Sequence, residues 1–81
     1  VVRVRLFAAL REAAGASLVE APGKTVGDVV DVLNERYGER FAAVAAVASF
    51  VVNGERAGRQ TAIADGDEVA MLPPVSGGAR P

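Results

Sequence analysis

Apolar and polar residues alternate from the start of the chain. Val2, Val4 and Leu6 fall on one side of an extended backbone and Arg3 and Arg5 on the other, so Val1–Phe7 is predicted to be a half-buried strand. From Ala8 to Ala14 the alternation gives way to helix formers, among them Leu10, Arg11 and Glu12, and Gly15 stands where a left-handed C-terminal cap is expected. Ser17–Glu20, bounded by Gly15 and the Pro22-Gly23 turn signal, reads as a second short strand. Thr25 then opens the clearest helix. Its hydroxyl can cap the first turn, with Asp28 three residues on reaching back or complementing the helix dipole. Val26, Val29, Val30 and Leu33 form one apolar stripe, and Gly38 closes the helix behind Tyr37.

Phe41–Ala48 fits either period, since Ala favours helix while Val44 and Val47 suit both; the expectation is a short helix leading into a strand. Phe50–Asn53 is apolar and β-prone, and Asn53-Gly54 predicts a tight turn that begins a hairpin. After the turn signal Asp65-Gly66-Asp67, Glu68–Leu72 reads as the last strand, with Val69 and Met71 on one side and Ala70 and Leu72 on the other. Pro73-Pro74 stops it, because neither residue donates to a ladder. The remaining residues, 75–81, hold too little apolar mass to dock and are expected to form a flexible tail on a folded body of residues 1–74. A single long amphipathic helix and several short strands imply an α+β roll, a mixed sheet of four to five strands packed on one main helix.

A chain of 81 residues builds one small core and no deep cleft of its own, which disfavours a free-standing enzyme. Nine Lys+Arg against ten Asp+Glu, without a basic block and with few aromatics, argue against nucleic acid as a partner. The chain has neither Cys nor His, so imidazole-based triads, thiol redox pairs, zinc fingers and cysteine-held clusters are excluded. The absence of a leader pattern and of disulfides leads to the expectation of a cytoplasmic protein, and the apolar stretch Phe41–Val52 is too short to cross a membrane. Three charged or loop features invite functional readings. Gly23-Lys24-Thr25 imitates the end of a phosphate-binding loop, but Leu18 stands where that motif needs its first Gly. Asp65, Asp67 and Glu68 form an acidic cluster, better read as a solvated turn, and Arg3 and Arg5 could join Arg56 or Arg59 in a basic stripe on an outer sheet face.

Gly77-Gly78 is different in kind. Glycine lacks Cβ, so its backbone can approach a bound nucleotide or substrate closely. Five residues beyond Pro74 reach about 16 Å, enough to enter another protein's cleft while the folded body stays outside. Two readings stand at this point, a featureless end or an arm that presents a main-chain carboxyl group to a partner's active site.

The stretch Asp65-Gly66-Asp67-Glu68-Val69-Ala70-Met71-Leu72-Pro73-Pro74-Val75-Ser76-Gly77-Gly78 resembles the C-terminal signature of the small subunit of molybdopterin synthase, a ubiquitin-like sulfur carrier of the β-grasp fold. Val4-Arg5-Leu6-Phe7-Ala8 through Leu10-Arg11-Glu12 and Gly15 is similar to that family's first strand and helix, and Phe50-Val51-Val52-Asn53-Gly54 to its later strand and turn. Thiamine-pathway sulfur carriers share the fold and the Gly-Gly end but resemble a shorter version without the Ala8–Ala14 helix, and rank second; an interaction or modifier module without sulfur transfer is the rival from another class.

The resemblance implies a non-catalytic sulfur donor within a heterotetrameric synthase. An adenylating enzyme similar to a ubiquitin-activating enzyme would join Gly78 to AMP using ATP, a sulfur donor protein would convert it to a thiocarboxylate, and the large synthase subunit would direct the sulfur into the pterin precursor. The chain itself would hold no cofactor or metal. The resemblance also implies a partner-facing apolar patch at Phe7, Met71 and Leu72, continued along Pro73, Pro74, Val75 and Ser76 to Gly77 and Gly78. Ala79-Arg80-Pro81 departs from the pattern, because active members end at the second Gly. A maturing protease, residues foreign to the natural protein, or a paralogue devoted to binding each account for the tripeptide, and cleavage after Gly78 is the expectation carried forward.

Overall fold

The computed structural model describes residues 1–74. They form five strands and three helices in the order β1 (Val2–Leu6), α1 (Ala8–Ala14), β2 (Leu18–Ala21), α2 (Val26–Tyr37), α3 (Glu39–Ala45), β3 (Ser49–Val52), β4 (Glu55–Ala57) and β5 (Glu68–Leu72). The strands make one mixed sheet in the order β2-β1-β5-β3-β4. β5 lies at its centre, parallel to β1 through Val4↔Val69 and Leu6↔Met71 and antiparallel to β3 through Phe50↔Met71.

The period-two pattern of β1 becomes a strict burial alternation, with Val2, Val4 and Leu6 inside and Arg3 and Arg5 outside. Val69 and Met71 of β5 and Phe50 of β3 continue that inner face, and the α2 stripe Val26, Val29, Val30 and Leu33 closes over it. The expectation of one main helix holds for α2, the longest, but the core needs all three. α1 inserts Leu10, and α3 inserts Phe41 and Ala45, with the Phe41 ring 5.3 Å from that of Tyr37.

Local chemistry sets the element ends. Thr25 Oγ1 accepts from the Asp28 amide at 3.1 Å while Asp28 Oδ2 accepts from the Lys24 amide at 3.1 Å, satisfying two donors at the start of α2. Two more find partners in the loop that follows β4, where the Val26 amide donates to the Thr61 carbonyl and the Gly27 amide to the Arg59 carbonyl at 2.8 Å. A Cβ at position 27 would stand 3.1 Å from the Arg59 oxygen, so glycine lets the loop lie flat on the helix. The β3–β4 turn takes Asn53 at φ 50° and Gly54 at φ 87°, both left-handed, as a two-residue hairpin turn of this twist requires.

Phe41 is the largest of the fully buried side chains among the described residues. Phe41→Ala is expected to lower the unfolding free energy by about 3–5 kcal/mol, measured by urea denaturation; a loss below about 1 kcal/mol contradicts this packing.

Candidate functional site

The end of β5 is where the body hands over to the C-terminal residues, so the site is built from there. Leu72 makes the last pairing, with Ser49, and Pro73 and Pro74 follow, the first half-buried and the second exposed. Proline cannot extend the ladder, and the chain leaves the sheet at this point. The two prolines form one wall of an apolar groove of about 460 Å³. Its other walls are Ala8 and Ala9 at the start of α1 and Ala43, Val44 and Val47 from α3 and the turn behind it. The alanines leave the hollow open because they have nothing beyond Cβ to fill it. Ala8 adopts a left-handed φ of 51°, which lets the chain turn from β1 straight into α1 beside the prolines.

Phe7 is 41% exposed and follows the buried Leu6, so strand alternation puts it on the outer face of the sheet. The Leu6↔Met71 register, carried one residue further, sets Phe7 beside Leu72. Of the expected patch, Leu72, Pro73 and Pro74 run consecutively out of β5, the two prolines lining the groove, and Phe7 stands exposed just past the end of β1. Met71 does not belong with them, and the expectation of a docking role for it is corrected. Its side chain is fully buried because the parallel register turns it to the helix side against Leu6 and Phe50. Val75, Ser76, Gly77, Gly78 and the tripeptide Ala79, Arg80, Pro81 lie outside the described residues.

Sequence reasoning missed Ala8, Ala9, Ala43, Val44 and Val47 as part of the site. Val47 is 62% exposed, and its spacing from Val44 is the one signal that hinted at an apolar helix face left uncovered. No residue lining the groove carries an acid, a base or a nucleophile, so the arrangement can receive a partner and orient a chain end but cannot activate one.

The charged features fall into structural pairings. Asp65 accepts from the Val1 ammonium at 2.7 Å, and Glu68 pairs with Arg5 across the sheet. Asp67 takes the Ala64 amide at 2.9 Å and the Asn53 side-chain amide at 3.0 Å, while Asn53 Oδ1 accepts from the Glu68 amide at 3.0 Å. The acidic cluster thus anchors the β3–β4 turn to the start of β5, and among the described residues no group of three or more such side chains could hold a metal ion. Arg59 does not join a stripe with Arg3 and Arg5, because it pairs with Asp31 of α2 at 2.9 Å, on the helical side. Among the described residues no helix is long and apolar enough to cross a membrane.

The backbone amide of Ala64, and secondarily the Asn53 side chain, stabilise the Asp67 carboxylate and hold its pKa below the ordinary aspartate range. A carboxylate depressed in the folded state stabilises it fully above the unfolded-state pKa and loses that contribution as pH falls through the folded value. The stability advantage of the parent chain over Asp67→Asn is therefore expected to be constant near neutrality and to shrink as pH falls through and below the ordinary aspartate range, read by denaturant melts across pH. An advantage that grows in acid contradicts the network.

Comparison with known proteins adds to this geometry. A model of the ThiS family matches residues 4–78, a span that ends on the second glycine of Gly77-Gly78. Comparison with curated protein sequences gives no match. Among solved structures, small archaeal modifier protein 1 from Methanosarcina acetivorans superposes with a TM-score of 0.79 at 32% identity, covering 94% of this chain and 94% of that one. The BexX/CysO complex of Amycolatopsis orientalis contains a chain that superposes at 0.80 with 28% identity, covering 95% of this chain and 99% of that one. A candidate molybdopterin converting factor, subunit 1, from Pyrococcus furiosus superposes at 0.75 with 29% identity, covering 91% of this chain and 97% of that one.

Proposed function

The chain belongs to the ThiS family, ubiquitin-like sulfur carriers of the β-grasp fold, and from that premise we propose that it carries sulfur as a thiocarboxylate on Gly78 and delivers it to the pterin precursor of the molybdenum cofactor within molybdopterin synthase. The observation that carries the reading is the family match running through Gly78, joined to a body whose tail root is an apolar receiving surface without catalytic groups. The presence of α1 favours the molybdopterin branch over the shorter thiamine type, and the Pyrococcus relative supports the same choice.

The role requires a chain that ends at Gly78, so removal of Ala79-Arg80-Pro81, by a maturing protease where the tripeptide is native, precedes the chemistry. A free carboxylate is a poor acyl donor because its charge repels nucleophiles and oxide is a prohibitive leaving group. Adenylation solves both difficulties. The Gly78 carboxylate attacks the α-phosphorus of ATP, pyrophosphate leaves, and the mixed anhydride offers AMP as a leaving group. Hydrosulfide released by a donor protein then attacks the acyl carbon, the C–O bond to AMP breaks and AMP departs, leaving the thiocarboxylate. Both steps belong to the activating enzyme and the donor, which supply the catalytic acids and bases, in keeping with a chain that has neither His nor Cys. The large synthase subunit would take the same tail afterwards. Phe7, Leu72 and the groove beside Pro73-Pro74 are the apolar contacts available to each partner in turn.

A second reading draws on the similarity to small archaeal modifier protein 1. In it Gly78 is joined to a lysine amine of another protein, and sulfur transfer is one fate of the activated terminus among two.

Incubating the chain ending at Gly78 with ATP, the activating enzyme and a sulfur donor is expected to exchange one terminal oxygen for sulfur, read by intact mass. An unchanged terminus, with an activating enzyme that thiolates its own known carrier, contradicts the proposal. Val47→Asp, an exposed change expected to cost under about 0.5 kcal/mol, should lower the rate of that exchange roughly tenfold by putting a charge in the docking groove. An unaltered rate removes the groove from the interface.

A further inference from the structure

The sheet ends at β2 on one side and at β4 on the other, and an open edge strand offers its unpaired amides and carbonyls to any extended chain. Hydrogen bonds fix which residues of β2 do so. In an antiparallel pair, opposite residues alternate between those that bond to each other and those whose backbone groups point away. The Leu6 amide donates to the Ser17 carbonyl at 2.9 Å, so the register makes Val4 with Val19 and Val2 with Ala21 bonded pairs. The Arg3 amide points the other way and donates to the Asp67 carbonyl at 3.2 Å, on the β5 side. Leu18 and Glu20 therefore each turn an amide and a carbonyl to the open edge. Within β4 the tight turn makes Val52 with Glu55 a bonded pair, which leaves Arg56 alone facing outward.

One of the outward groups of β2 is already taken. Arg36, near the end of α2, reaches across and donates from Nη1 to the Glu20 carbonyl at 2.9 Å, with its guanidinium carbon 5.8 Å from the centre of the Tyr37 ring. The edge is otherwise complementary to itself. A second copy laid antiparallel on it, with a two-fold axis at Val19, sets Leu18 of each copy opposite Glu20 of the other, and every outward amide meets an outward carbonyl. Arg36 opposes that arrangement in two ways. It holds the carbonyl that the Leu18 amide of the second copy needs. By strand geometry the two Glu20 Cα atoms would also stand about 8 Å apart, which brings both guanidinium charges within about a Debye length of each other. A strand of four residues buries far less than the roughly 1,000 Å² of a stable interface, so a competing contact on each copy decides the balance.

We propose that Arg36 is a guard on the open edge of the sheet. By holding the Glu20 carbonyl it keeps two copies from joining through β2, and its withdrawal turns that edge into a homodimer interface centred on Val19.

Arg36 is exposed and alanine is a good helix former, so Arg36→Ala tests this in the whole chain, with folding checked by circular dichroism. By sedimentation equilibrium up to about 1 mM, the parent is expected to stay monomeric and Arg36→Ala to associate at least roughly tenfold more tightly. Arg36→Gln, whose side chain ends short of the carbonyl, is expected to behave in the same way. The Leu18 and Glu20 amides of the variant should exchange hydrogen more slowly as its concentration rises. Adding Leu18→Pro removes an outward amide and no bond to β1, and abolishes the association. Leu18→Glu leaves the backbone intact, faces the Glu20 of the second copy with a like charge, and weakens it as well. Equal association of the parent and both Arg36 variants, at any level, overturns the proposal. So does association that leaves the Leu18 and Glu20 amides unprotected or that survives both Leu18 changes.

Discussion

The parallel pairing of β5 with β1 at the middle of the sheet is the constraint on which the rest depends. It turns Val69 and Met71 inward beside Val4 and Leu6, so that the three helices have one continuous apolar face to cover. It also decides direction. Two strands that run the same way end at the same edge of the molecule, so the chain leaves the sheet at Pro73-Pro74 beside the start of α1, with the Lys24 loop at the far edge. A parallel pair needs a long crossover, and everything from α1 to the hairpin serves as one.

That arrangement separates folding from chemistry. The fully buried residues are all apolar, without a buried charged side chain among the described residues, and the charged pairs on the surface fasten turns to strands rather than prepare a reaction. The tail root is lined by alanine, valine and proline. On the function proposed for it, such a body contributes an address and a main-chain carboxyl group, while catalytic groups, nucleotide and sulfur come from others. The fold-level likeness to modifier and converting-factor proteins is consistent with that division, since each uses the same body.

Elements whose signals are local were legible in the sequence. The alternation of β1, the Thr25 cap and Val26–Leu33 stripe of α2, Gly15 at φ 77° behind α1, and Asn53-Gly54 in the hairpin all stand as expected. β2 is displaced by one residue, to Leu18–Ala21, because its limits follow pairing with Arg5 and Val2 rather than its own composition. What depended on contacts distant in sequence was hidden. Both faces of Glu68–Leu72 carry apolar side chains, so alternation alone could not say that Met71 faces in and Leu72 out; the neighbouring strands decide it. The groove joins residues near 8, 44 and 73, and no short window contains it. Arg59 likewise went to the helical side because the loop after β4 lies across the start of α2. The paired glycines were found through resemblance and by their lack of side chains, and they fall within the matched family span.

The most direct test of the central claim is the intact mass of the protein taken from the cells that make it. The account predicts molecules ending at Gly78, a fraction of them with sulfur in place of one terminal oxygen. A population that uniformly continues past Gly78 to Pro81 would contradict it.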